Sequence, residues 1–123
     1  MNYGEELVKL LKVLFMSLAF ISVSVSANPG HWMPTAKKVS SIVVEGDENG
    51  RALILIEGGV PSDYIPQECR SGANGTYNTV FLNTHKGRGI YSMALTAYTS
   101  GKPVKLALSC TGNRPLITHI WLM

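Results

Sequence analysis

The stretch IYSMALTAYTSGKPVKLALSC, residues 90–110, constrains this chain more than any other, because a helical pattern gives way to a strand pattern within three residues. Ile90, Met93, Ala94, Ala97 and Tyr98 fall at i, i+3, i+4, i+7 and i+8, the spacing of one buried helix face. Gly101 stands where a helix end turns left-handed, Lys102 can serve the last carbonyls, and Pro103 cannot continue the helix. Val104 to Ser109 then reads as a strand ending at Cys110. Ile90, Met93 and Ala97 are expected to fill a core. The other side, Ser92, Thr96, Thr99 and Ser100, is small and uncharged, which suits packing against copies of itself.

Residues 1–27 are expected to be a secretory signal peptide rather than part of the fold. Lys9 and Lys12 precede an apolar run from Val13 to Val25, and Val25-Ser26-Ala27 offers small residues for cleavage after Ala27. An uncleaved membrane anchor is the alternative, but the run is shorter than the roughly 20 residues that cross a bilayer. Residues 28–123 then form one small domain, secreted or periplasmic. Export makes a Cys69–Cys110 disulfide the expected state of its two cysteines. Their spacing is neither CxxC nor a zinc pattern, so no cofactor and no metal are expected.

The remaining segments alternate between strand and turn chemistry. NPGHWMPTAKK, with two prolines, is an extended lead-in. VSSIVV and RALILI flank GDENG and read as a hairpin, the second strand apolar on both faces and therefore central. QECRSGANGTYNTVFL leaves a hairpin or a long excursion open, with a third strand placed at Tyr77 to Leu82. Within it Asn74-Gly75-Thr76 matches a glycosylation sequence but equally a turn. TGNRP is a turn, and LITHIWLM a fifth strand. The order β-β-β-α-β-β makes the fold mainly β with one helix, an OB-fold-like five-stranded barrel.

Charge narrows function by exclusion. The net +3 is spread along the chain, so nucleic acid is not expected as a partner. Lys86-Gly87-Arg88 reads as a basic loop, either solvated charge or an anion contact. His31, His85 and His119 share no catalytic spacing with the acids or serines, and no GxSxG, HExxH or P-loop pattern occurs, so an enzyme is not expected. His119, mid-strand, reads as a hydrogen-bonded structural residue, and His85 as a surface one.

Residues 98–105, YTSGKPVK, with the helix before them and the strand after, resemble the helix-to-strand segment of the B subunits of bacterial AB5 toxins, the subtilase cytotoxin and pertussis-like group. That resemblance implies a non-catalytic, ring-forming OB-fold, a pentamer, whose helices line a pore through Ser92, Thr96 and Ser100. It implies sialylated host glycans as ligands and a catalytic A subunit as partner. The family's sugar-binding serine falls at Ser40 or Ser41, with Lys86 and Arg88 as further contributors. A sugar-contacting tyrosine of some members falls near Leu108, where this chain has no aromatic, and Tyr64, Tyr77 and Tyr91 are the available substitutes. The competing expectation is a solitary exported OB domain that binds a protein or peptide.

Overall fold

A computed structural model describes residues 32–46, 50–70 and 76–123. The expected leader, and the Asn74-Gly75 part of the glycosylation sequence, lie outside the described residues. Among the described residues, five strands and one α-helix follow the expected order: β1 (Val39–Glu45), β2 (Arg51–Ile56), β3 (Asn78–Phe81), α1 (His85–Ser100), β4 (Val104–Thr111) and β5 (Arg114–Leu122). They form one sheet in the order β1-β2-β3-β5-β4. All neighbours are antiparallel except β3 and β5, which meet in parallel at Thr79 and Leu116. The described first part of the excursion between β2 and β3, residues 57–70, holds the 3-10 turns Ser62–Tyr64 and Gln67–Cys69, each entered through a proline whose φ already suits it.

Among the described residues the expected mainly β architecture with one helix is present, but the sheet is not closed, so it matches the expected OB-fold-like barrel only loosely. Its outer strands β1 and β4 share no ladder; instead the lead-in reaches β4 through one isolated bridge, Lys37 to Val104, and a Met33 N–H donated to the Leu106 carbonyl at 3.1 Å. Pro34, between those two contacts, has no N–H to donate, and the chain bends at Pro34 and Thr35. A continuous ladder cannot form across that bend.

The core lies between the inner face of the sheet and α1. Ala52, Ile54, Ile56, Val80, Leu106, Leu108 and Ile117 meet Ile90, Ala94 and Ala97 of the helix. Two expectations fail here. Met93 and Tyr98 are 37% and 52% exposed, because at 100° per residue they flank a narrower buried stripe made by Gly87, Ile90, Ala94 and Ala97. Small residues in that stripe let the helix approach the sheet closely.

The helix ends explain its sequence. Thr84 caps the start, its Oγ1 accepting the Gly87 N–H at 2.9 Å, and Gly101 ends it at φ 68° as expected. Lys86 to Arg88, read as a loop, is in fact the first turn of α1. Two glycines there disfavour a helix by about 1 kcal/mol each. Gly87 is nevertheless required, since a Cβ at that position would fall 1.7 Å from the Phe81 carbonyl oxygen. Close docking of the helix on the end of β3 overrides local propensity.

The Cys69–Cys110 disulfide is present and ties the excursion to β4, with Cα atoms 5.8 Å apart. Cys69 is fully buried. Closing a loop of this length, 41 residues in sequence separation, stabilises the fold by about 4 kcal/mol in the chain-entropy model.

Candidate functional site

Ser40 and Ser41 sit at a β-bulge. Val39 pairs with Ile56 and Ser41 with Leu55, so Ser40 is the extra residue; it is exposed, and Ser41 is half-buried. Bulges re-aim side chains, so a hydroxyl there is available to a ligand. The basic pair lies elsewhere. Phe81, from which the chain passes into α1, is aligned through Arg51 with Glu45 at the far end of β1, four residues along β2 from Leu55 and thus ~13 Å away by strand rise. Arg88 is engaged locally, donating to the Leu82 carbonyl at 3.0 Å and meeting His85 Nδ1 at 3.1 Å. Lys86 borders a largely apolar hollow of about 160 Å³ between β3, β5 and α1, lined chiefly by Val80, Phe81, Ile90 and Ile117.

None of the residues proposed to complete a serine-centred site is held there by a described contact. Leu108 is 1% exposed and faces the core, so that position would not offer a side chain to a surface sugar. Tyr64 and Tyr91 pack against the core cluster, and Tyr77 is half-buried.

The outward face of α1 has a regular hydrogen-bond pattern. Ser92 Oγ donates to the Arg88 carbonyl at 2.9 Å, Thr96 Oγ1 to Ser92 at 2.9 Å, Thr99 Oγ1 to Leu95 at 2.9 Å and Ser100 Oγ to Thr96 at 2.7 Å. Each hydroxyl proton is therefore used within the helix itself. What the face presents outward is methyl and methylene surface, bordered by exposed Met93, Leu95 and Tyr98.

At another place on the sheet Glu45 holds two arginines, Arg51 Nη2 at 2.7 Å and Arg114 Nη1 at 2.9 Å. This pins the start of β5 to the turn end of the β1–β2 hairpin. The hydrogen bond from Arg114, helped by the charges of Arg51 and Arg114, holds the Glu45 carboxyl below its ordinary pKa against a smaller opposing effect of desolvation. Among the described residues no cluster of three or more His, Cys, Asp or Glu is placed to hold a metal ion, and no helix is long and apolar enough to cross a membrane.

The feature that the sequence left unread is aromatic. Trp32 makes T-shaped contacts with both His119 and Trp121, with ring centroids 5.8 Å apart in each case and interplanar angles of 64° and 67°. Trp32 is 38% and Trp121 51% exposed, and His119 is exposed as well, its Nδ1 3.0 Å from Thr118 Oγ1. His119 is hydrogen-bonded mid-strand, as expected, but to its neighbour Thr118 at the exposed surface. Alternation along β5 was a usable signal: with Ile120 and Leu122 packed inward, His119, Trp121 and Met123 point out. Trp32, nearly 90 residues earlier, offered no such signal. Comparison with protein-family models, curated proteins and solved structures returns no match, so identity and function rest on the geometry alone.

Proposed function

We propose that this chain is a secreted, non-catalytic carbohydrate-binding subunit that assembles with copies of itself through α1, in the manner of the B subunits of AB5 toxins. Sialylated host glycans are its ligands, a ring such as a pentamer is its working form, and a catalytic A subunit is the partner such a ring would carry. The observation that carries the proposal is the outward face of α1. Ser and Thr lower helix propensity by competing for backbone hydrogen bonds, and back-bonded hydroxyls slightly destabilise a helix that merely meets water. Four such residues together, with Met93, Leu95 and Tyr98 exposed beside them, make a face that loses little hydration when a second helix covers it.

The test is sedimentation equilibrium of the exported protein, followed by an array of sialylated and neutral glycans probed with the assembled species. A discrete oligomer that binds sialylated glycans supports the proposal; a monomer at high concentration removes the ring, and an array without signal removes the glycan. If a serine at the bulge holds the sugar carboxylate, Ser40→Ala or Ser41→Ala weakens each site about tenfold, the worth of a charge-assisted hydrogen bond.

One observation favours the second reading, a solitary domain that takes a peptide. β1 is an edge strand, and its Val43 and Val44 are 45% and 56% exposed, the kind of edge to which an extended segment can add. A monomer that binds an extended peptide and no glycan would establish it.

A further inference from the structure

We propose that the outward corner formed by Trp32, His119 and Trp121 is the sugar-binding site of this protein, and that it takes the C–H face of a carboxylate-bearing sugar with Lys105 supplying the cation. The proposal deepens the carbohydrate-binding function set out above, on which it rests, and places the site on β4 and β5 instead of at the Ser40–Ser41 bulge.

Shape comes first. Two indoles at 67° do not make a flat patch; they make a floor and a wall, 5.8 Å between centroids. A pyranose ring has one face of polarised C–H bonds that suits the negative face of an indole, and hydroxyls around its rim that need donors and acceptors. His119 supplies such a group, since its ring stands against Trp32 with one nitrogen left over after the Thr118 contact. Trp121, the more exposed indole, is the floor.

Charge selects the occupant. Lys105 is the direct cross-strand partner of Trp121, so its side chain leaves the sheet on the same face as that indole, and it makes no salt bridge among the described residues. The paired stretches Val104–Leu108 and Ile117–Leu122 contain no Asp or Glu. A carboxylate on the sugar therefore meets a cation with no competing acid on these two stretches.

Support for the corner is built in. Ala107 pairs with His119 and lies on the side of β4 opposite to Leu106 and Leu108, yet it is only 1% exposed. The Met33–Leu106 hydrogen bond brings the residue next to Met33, Trp32, to that same strand. A small residue at 107 leaves room for the rings above the sheet. A protein partner fits the corner poorly: three partly exposed rings offer at most a few hundred Å², well short of the roughly 1,000 Å² that a stable protein interface buries.

The experiment titrates sialyllactose and lactose into the assembled exported protein, read by tryptophan fluorescence and by calorimetry. The wild type is expected to bind sialyllactose with a change in indole emission. Trp121→Ala weakens binding about tenfold or more, Trp121→Phe weakens it less, and Lys105→Gln narrows the preference for sialyllactose over lactose. Unchanged affinity in Trp121→Ala and Lys105→Gln, with loss in a serine variant, overturns the corner and leaves carbohydrate binding standing. Absence of binding to any array glycan by correctly assembled wild type overturns both. Should Trp121→Ala fail to assemble, the Trp121→Phe and Lys105→Gln titrations decide by the same criteria.

Discussion

The outward face of α1 and the aromatic corner on β5 both meet water, yet they treat it in opposite ways. On α1 the four hydroxyls donate to carbonyls one turn earlier, leaving a low, apolar relief. At the corner two indoles, Trp32 from the lead-in and Trp121 from β5, are partly exposed, His119 keeps a ring nitrogen beyond its Thr118 contact, and Lys105 is paired with Trp121. The difference teaches what each surface suits. A face whose hydroxyl protons are already donated within the helix suits a large, shape-matched partner such as another copy of itself, whereas a corner with a spare ring nitrogen suits a small polar ligand.

The largest expected effect removes both surfaces together. Reduction of Cys69–Cys110, or replacement of both cysteines by Ala, is expected to destabilise the fold by about 4 kcal/mol, because β4 is held to the excursion by that link and also connects α1 to β5. Urea unfolding of oxidised and reduced protein checks it; equal midpoints would show that the bridge carries no stability.

Next in size is a change aimed at the helix alone. Gly87→Ala places a Cβ against the Phe81 carbonyl, and overpacking of that kind costs roughly 3 kcal/mol, only partly offset by about 1 kcal/mol of helix propensity. Thermal melting that is unchanged or higher in Gly87→Ala would mean that α1 does not dock as described.

Thr96→Glu separates the two surfaces without unfolding either. Thr96 is exposed, so the monomer should keep its stability within about 0.5 kcal/mol, while in the proposed ring repeated like charge around the axis would disperse the oligomer. On that proposal, sedimentation velocity should show monomers, and these should keep single-site sugar affinity at the proposed corner. An intact oligomer would place the subunit contact elsewhere.

The smallest effect tests a place that belongs to neither surface. Glu45 has its pKa lowered from 4.5 in the folded state, so its contribution to stability is present above the unfolded value and disappears as pH falls through the folded one. Melting temperature of the wild type should therefore drop on acidification below about pH 4.5 by more than that of Glu45→Gln. Parallel acid profiles would show that the arginine contacts contribute nothing measurable.

Much of this structure was legible in short windows of sequence. The helix stop at Gly101 and Pro103 depends on residues two apart, and the β1–β2 hairpin on alternation either side of a turn, so both were readable. The disulfide needed only the count of cysteines and the expectation of export. The helix start was not readable, because Lys86-Gly87-Arg88-Gly89 looks like a loop to any local rule. Its helical state depends on docking at Phe81. Met93 and Tyr98 were misassigned because periodicity gives the direction of the buried face but not its width, and width depends on how closely the sheet approaches.

The chain by itself determined the kinds of element, their order, the pairing of its cysteines and the small uncharged face of α1, because each follows from backbone conformational preference or composition over a few residues. Tertiary structure decided that the sheet stays open at Pro34, that Leu108 is core, that the serines and the basic pair are held apart, and that Trp32 meets Trp121. Those outcomes require segments far apart in sequence to be brought within contact distance, and no local preference encodes that. The side of a strand that faces water, and what stands beside it there, is fixed only when its neighbours are in place.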